Sequence, residues 1–146
     1  RFPAHALSAI ESAITTVEAR HAGEIRFVIE TALDVSALLA DRTPRERAVE
    51  LFSHYRVWDT ANNNGVLIYL LMAEHDVEIV ADRGIAARVS DAEWHAVCQQ
   101  METHFRSGRF REGAIAGVDG VAALLVRHFP HEGGDRNEQP NRPILL

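Results

Sequence analysis

The stretch Asn63–Gly84, NNGVLIYLLMAEHDVEIVADRG, decides the fold. Asn64-Gly65 is followed by an apolar run to Ala73. Such a run, apolar on both faces, reads as a central strand covered by helices on each side. Glu74 to Asp76 forms a tight turn, and Val77 to Ala81 returns antiparallel, so the stretch is a hairpin.

Upstream, EIRFVIET at Glu24–Thr31 places Ile25, Phe27 and Ile29 alternately with Arg26, Val28 and Glu30. That is a strand with one more polar face. Between the two strands, TPRE at Thr43–Glu46 is a helix start: Thr43 caps, Pro44 suits the first position and Glu46 closes the capping box. The helix should run to about Arg56, with Val49, Phe52 and Tyr55 facing inward. Strand, helix, strand at this spacing makes a βαβ unit with two parallel strands.

Three further helices flank this unit. Leu7, Ile10, Ile14 and Val17 mark one face of a helix over Pro3–Arg20. Ser90 and Glu93 form a second capping box, and Trp94, Val97, Cys98, Met101 and Phe105 make a stripe to about Arg106. A last helix follows from about Arg109 to His128. On it, Gly113, Gly117 and Gly120 line up as a shallow groove, each costing up to about 1 kcal/mol of helix propensity. Close packing against a neighbour accounts for them. The expected architecture is a three-layer α/β/α sandwich with a small mixed sheet. Residues 1–129 form one domain, and 130–146 a polar, Gly- and Pro-rich tail whose Ile144–Leu146 end could dock on the body.

Composition narrows the function. The 146-residue chain has a formal net charge of −6 and 25% charged residues. That argues against a nucleic-acid binder, which would show a basic patch. All 15 basic residues are arginine, so Schiff-base and general-base lysines are excluded. The single cysteine, Cys98, rules out an internal disulfide and reads as a buried thiol. The eight histidines show no metal-ligand spacing. The chain shows no apolar stretch long enough to span a bilayer and no signal peptide. Those absences point to a cytoplasmic or membrane-peripheral location.

Oxygen-bearing residues near strand ends are more informative. In an antiparallel hairpin the start of one strand lies beside the end of its partner. Asn64 and Asp82 therefore share an edge, and Asp91 stays near it across a short excursion. Hard oxygen ligands converging this way suit Ca²⁺ or Mg²⁺. Asn, Asp and Gly are also the usual turn residues, and Asp91 suits a helix N-terminus, so spacing alone leaves both readings open.

The same stretch, with SDAEW at Ser90–Trp94 and FRSGRFREGAIAGVDGVAALL from Phe105, resembles the TPM domain family over about Glu24–Phe129. The family includes bacterial proteins and a thylakoid lumen protein linked to photosystem II repair. The resemblance implies an α/β/α sandwich, divalent-metal binding with calcium reported for relatives, and an acid-phosphatase activity claimed for some. By position, Asn64 matches the family's asparagine before glycine, and Asp91 the aspartate of its TDA stretch. Two positions depart from the family. Asn63 stands where aspartate is usual. The glycine-tyrosine-glycine-leucine-glutamate turn becomes Asp82-Arg83-Gly84-Ile85-Ala86, which removes its glutamate and adds Asp82.

Two functions are therefore expected. One is a metal-assisted phosphomonoesterase, with Asn64, Asp82 and Asp91 on the ion and Arg83 on the phosphoryl charge of a phosphate ester. The other is a protein-binding module for envelope or membrane-complex maintenance, its tail adding a strand to a neighbour. In the second, metal is a structural clamp or absent; the favoured expectation is a metal-binding module whose catalytic competence the sequence leaves open.

Overall fold

The computed structural model describes residues 2–18, 23–33, 41–60, 64–128 and 140–146. Its elements are α1 (Ala4–Glu18), β1 (Glu24–Glu30), α2 (Pro44–His54), β2 (Gly65–Leu71), β3 (Asp76–Ala81), the short α3 (Arg83–Ala86), α4 (Asp91–Arg106), α5 (Phe110–His128) and β4 (Ile144–Leu145). They form an α/β fold with a mixed four-stranded sheet in the order β3-β2-β1-β4.

β2 is the central strand the sequence predicts, buried at all seven positions. β1 pairs with it in parallel, from Glu24 opposite Gly65 to Glu30 opposite Leu71. β3 pairs antiparallel, from Val66 opposite Ala81 to Leu71 opposite Asp76. The strand stops at Leu71, two residues short of the predicted end. Met72–Glu74 instead turn as a 3₁₀ segment, and Ala73 donates its N–H to the Thr31 carbonyl at 2.9 Å. His75 completes the turn with a left-handed φ of +52°.

Each sheet face carries its own core. Ile25, Phe27, Ile29, Val66, Ile68 and Leu70 pack under α1, α4 and α5. Val28, Leu67, Tyr69 and Leu71 pack under α2. Alternation along each strand supplies the two faces. In α1 the buried residues are Ala6, Ile10, Ile14 and Val17, and the predicted Leu7 sits at the rim of that core.

Both predicted capping boxes are present, at Thr43–Glu46 and Ser90–Glu93. The inward face of α2 differs from the expected one. Ala48 and Leu51 are buried, with Phe52 and Tyr55 at the rim, whereas Val49 is 45% exposed. Val49 lies one residue, about 100° of helix rotation, past Ala48 and so turns away from the sheet.

The α5 glycines do form a packing groove against α4. A Cβ on Gly117 would lie 2.3 Å from Met101 Sδ, and one on Gly113 would lie 2.7 Å from Phe105. Cys98 is buried as predicted. Burial first, then the nearby carboxylates of Glu78, Glu102 and Asp76, push its thiol up to about 12. That is the opposite of an activated nucleophile. No helix among the described residues is long and apolar enough to cross a membrane.

Candidate functional site

Two of the three candidate ligands, Asn64 and Asp82, fall at the edge formed by the starts of β1 and β2 and the end of β3. The Glu24 N–H donates to the Asn64 carbonyl at 3.0 Å, and the Asp82 N–H to the Gly65 carbonyl at 2.9 Å. These two bonds extend the sheet by one step and bring Asn64 and Asp82 to the same edge, as the hairpin geometry requires. The Asn64 N–H also donates to the Thr60 hydroxyl at 3.0 Å. Asn64 is only 7% exposed, one of two buried polar residues among those described. Gly65 is required beside it: a Cβ there would lie 2.1 Å from the Val57 carbonyl oxygen. Asn62 and Asn63 lie outside the described residues.

Asp82 caps α3, the short helix the sequence reading treats only as a bend. Its Oδ1 accepts the Arg83 N–H at 2.7 Å, and its carbonyl accepts from Ile85 and Ala86. Its Oδ2 is buried and has no hydrogen-bond partner among the described residues. A buried carboxylate oxygen without a donor is costly. Arg83 is exposed directly beyond it.

Asp91 follows the Ser90 cap as the first residue of α4. It opens onto a cleft of about 420 Å³ between β3 and α4, with Asp76, Glu78 and Glu102 as its acidic neighbours in the lining. Burial, followed by hydrogen bonding to Asp76, pushes the Glu78 carboxyl up to about 7.

The sequence reading missed a second acidic pair at the edge. Glu18, at the end of α1, accepts the Ile25 N–H at 2.9 Å. Burial, partly offset by that bond and reinforced by Glu24 beside it, pushes its carboxyl up to about 8. Glu24 is itself 5% exposed. The signal available was weak: an acid opening a strand reads as an ordinary exposed end. Among the described residues, no three His, Cys, Asp or Glu side chains form a metal-holding cluster. A site here would therefore draw on the Asn64 amide and backbone carbonyls beside Asp82, a low charge count that means weak affinity for Ca²⁺.

At the opposite end of the sheet, the Tyr69 hydroxyl donates to Glu30 Oε1 at 2.7 Å. Arg47 reaches Glu30 with two parallel bonds of 2.9 and 2.8 Å. Arg47 and Arg42 both pair with Glu50. Burial and the Glu30 carboxylate hold the Tyr69 hydroxyl well above its ordinary range. This network pins α2 to the sheet.

Several solved structures share the fold. The solution structure of the BA42 protein from the psychrophilic bacterium Bizionia argentinensis is 28% identical, with a TM-score of 0.85 over 99% of this chain and 95% of that one. The N-terminal domain of a Porphyromonas gingivalis protein is 22% identical, TM-score 0.68, over 87% of this chain and 78% of that one. The N-terminal domain of the cg2496 protein from Corynebacterium glutamicum is 16% identical, TM-score 0.62, over 86% and 74%. These last two support the fold alone. No curated protein sequence matches the chain. The TPM domain profile matches residues 2–124, which adds α1 to the span of the sequence resemblance. With that match over most of its length, the chain belongs to the TPM domain family.

Proposed function

We propose that this domain is a divalent-cation-binding module, with Ca²⁺ or Mg²⁺ held at the edge shared by Asn64 and Asp82. Asp91, the third residue of the expected set, opens onto the neighbouring β3–α4 cleft and enters only the finer, catalytic reading. The carrying observation is Asp82 Oδ2, a buried carboxylate oxygen with no donor among the described residues. A cation beside it would offset the desolvation of that charge. Its neighbour Asn64 offers a buried amide, and oxygen ligands are what these hard cations take. The ion would polarise a bound oxygen.

The finer reading is a metal-assisted phosphomonoesterase. Arg83 favours it, because an exposed guanidinium next to Asp82 can fork onto phosphate oxygens. The discriminating experiment is hydrolysis of a phosphate monoester with Ca²⁺, with Mg²⁺ and with EDTA. The enzyme reading requires metal-dependent turnover that falls in Arg83→Ala and Asp91→Ala. Cation binding without turnover leaves the module as a binding protein. Equal rates for wild type and Asp91→Ala count against Asp91 as a ligand in catalysis.

A further inference from the structure

The far edge of the sheet carries a different message. β1 is buried on both faces, with Ile25, Phe27, Val28 and Ile29 at most 1% exposed. A strand of this kind needs a cover along its open edge. Its cover is the two-residue strand β4, parallel to β1, with Ile144 opposite Val28 and Leu145 opposite Ile29.

The fastening is slight. The Leu146 N–H donates to the Ile29 carbonyl at 2.7 Å, and the Thr31 N–H to the Leu146 carbonyl at 3.4 Å. Exposed side-chain bonds add to it: Arg26 Nη1 to the Pro140 carbonyl at 3.2 Å, the Thr31 hydroxyl to the Leu146 carbonyl at 3.5 Å, and Asn141 Nδ2 to Thr15 Oγ1 at 3.0 Å. Leu145 stays 52% exposed and Leu146 38%. Pro143 and Leu145 border an open cleft of about 540 Å³ against Ala4, Leu7 and Ser8 of α1. Few bonds and much exposed apolar surface mark a segment that opens at low free-energy cost.

We infer that residues 140–146 are an exchangeable strand: the β1 edge that takes them from their own chain also takes the same segment from a second copy. The molecule itself shows which sequence the edge accepts, and a second copy presents that sequence in full. Every bond above re-forms unchanged in the exchanged pair, since each joins residues 140–146 to β1, α1 or Thr31. Exchange of an identical element is for this reason an inexpensive route to a dimer. Residues 129–139 supply eleven residues of connection, which reach at most roughly 40 Å when fully extended. The exposed leucines and the cleft beside α1 continue the same surface outward, where the second copy would cover them. This inference is independent of the cation site at the other side of β2.

The test uses two single-cysteine variants of the whole chain, Thr15→Cys and Asn141→Cys. Both positions are at the surface, and Cys98 is buried. The two variants are mixed at increasing concentration, oxidised gently and separated without reductant. A disulfide joining the two different variants is favoured over random encounter when residues 140–146 of one copy lie on the other. The inference predicts several-fold more of this heterodimer than of a control mixture of Asn141→Cys with Ser107→Cys, rising with concentration. The double variant Thr15→Cys/Asn141→Cys, oxidised when dilute, closes on itself and then stays monomeric where wild type dimerises in sedimentation equilibrium. A heterodimer yield equal to the control, with wild type monomeric throughout, overturns the inference.

Discussion

Gly65→Ala should be the most damaging of the glycine-to-alanine changes at Gly65, Gly113, Gly117 and Gly120. The new Cβ would lie 2.1 Å from the Val57 carbonyl oxygen, against roughly 3.3 Å for a close carbon–oxygen contact. The link between α2 and β2 must therefore move by about 1 Å. That link is not free to do so. Val57 is fully buried, and its N–H is bonded to the Phe52 carbonyl at 3.0 Å. Overpacking costs typically about 1–3 kcal/mol, and a backbone obstacle belongs at the upper end. Removing a strand glycine returns about 0.5–1 kcal/mol. A net loss of about 2 kcal/mol follows, or roughly 4–8 °C in Tm for a chain of this length.

Gly120→Ala is the matched control. There the nearest atoms are Val97 methyls at 3.1 Å, which yield by a few tenths of an ångström. The helix gains about 1 kcal/mol of propensity, so stability should change little. Gly117→Ala, facing Met101 Sδ, should fall between the two. Urea unfolding followed by circular dichroism gives the midpoints, read at constant slope m. A Gly65→Ala midpoint equal to wild type, or one higher than that of Gly120→Ala, would refute the reasoning.

Two further outcomes concern stability and pH. Tyr69→Phe removes the bond to the Glu30 carboxylate and should cost about 2 kcal/mol. Glu30→Ala also removes both Glu30 bonds of Arg47, which keeps Glu50, and should cost more, about 3 kcal/mol; equal losses in urea unfolding would show that the Arg47–Glu30 pairing contributes nothing. The Glu18 carboxyl is raised from 4.5 to about 8, so the folded chain holds a proton that the unfolded chain releases. Its contribution is full below about pH 4.5 and is lost as pH rises toward about 8. Glu78, raised to about 7, acts in the same direction. Glu18→Gln should flatten the decline in unfolding midpoint across that window, and a slope identical to wild type would show that Glu18 does not hold the proton.

Much of the fold was legible because its signals are local. The apolar run after Gly65, the two capping boxes and the period-two pattern of β1 each act within a few residues. They placed β2 centrally and set the parallel and antiparallel pairings. What could not be read depends on distant partners. The turn of Val49 away from the sheet follows from how α2 lies on β2 and β3. The docking of Ile144–Leu146 on the body was expected, but not as a strand: β4 is too short to have a period, and exists because the β1 edge is open to it. In the candidate site, the juxtaposition of Asn64 and Asp82 follows from hairpin register and was foreseeable. The helix α3 capped by Asp82, the burial of its Oδ2 and the Glu18–Glu24 pair arise from three elements meeting at one edge. The two aspartates at helix starts show the same limit: Asp82 turns a carboxylate oxygen into the protein, whereas Asp91 looks onto the β3–α4 cleft.

The most direct measurement is a titration of the full chain with CaCl₂, and separately MgCl₂, followed by backbone amide NMR, for wild type and Asp82→Asn. The cation account predicts saturable shifts confined to the edge around Asn64, Gly65, Asp82 and Arg83, with a Kd of roughly 10⁻⁴–10⁻³ M given the single charge at its centre, and their loss in Asp82→Asn. A wild-type spectrum unmoved at millimolar calcium and magnesium, or shifts that persist unchanged in Asp82→Asn, would contradict it.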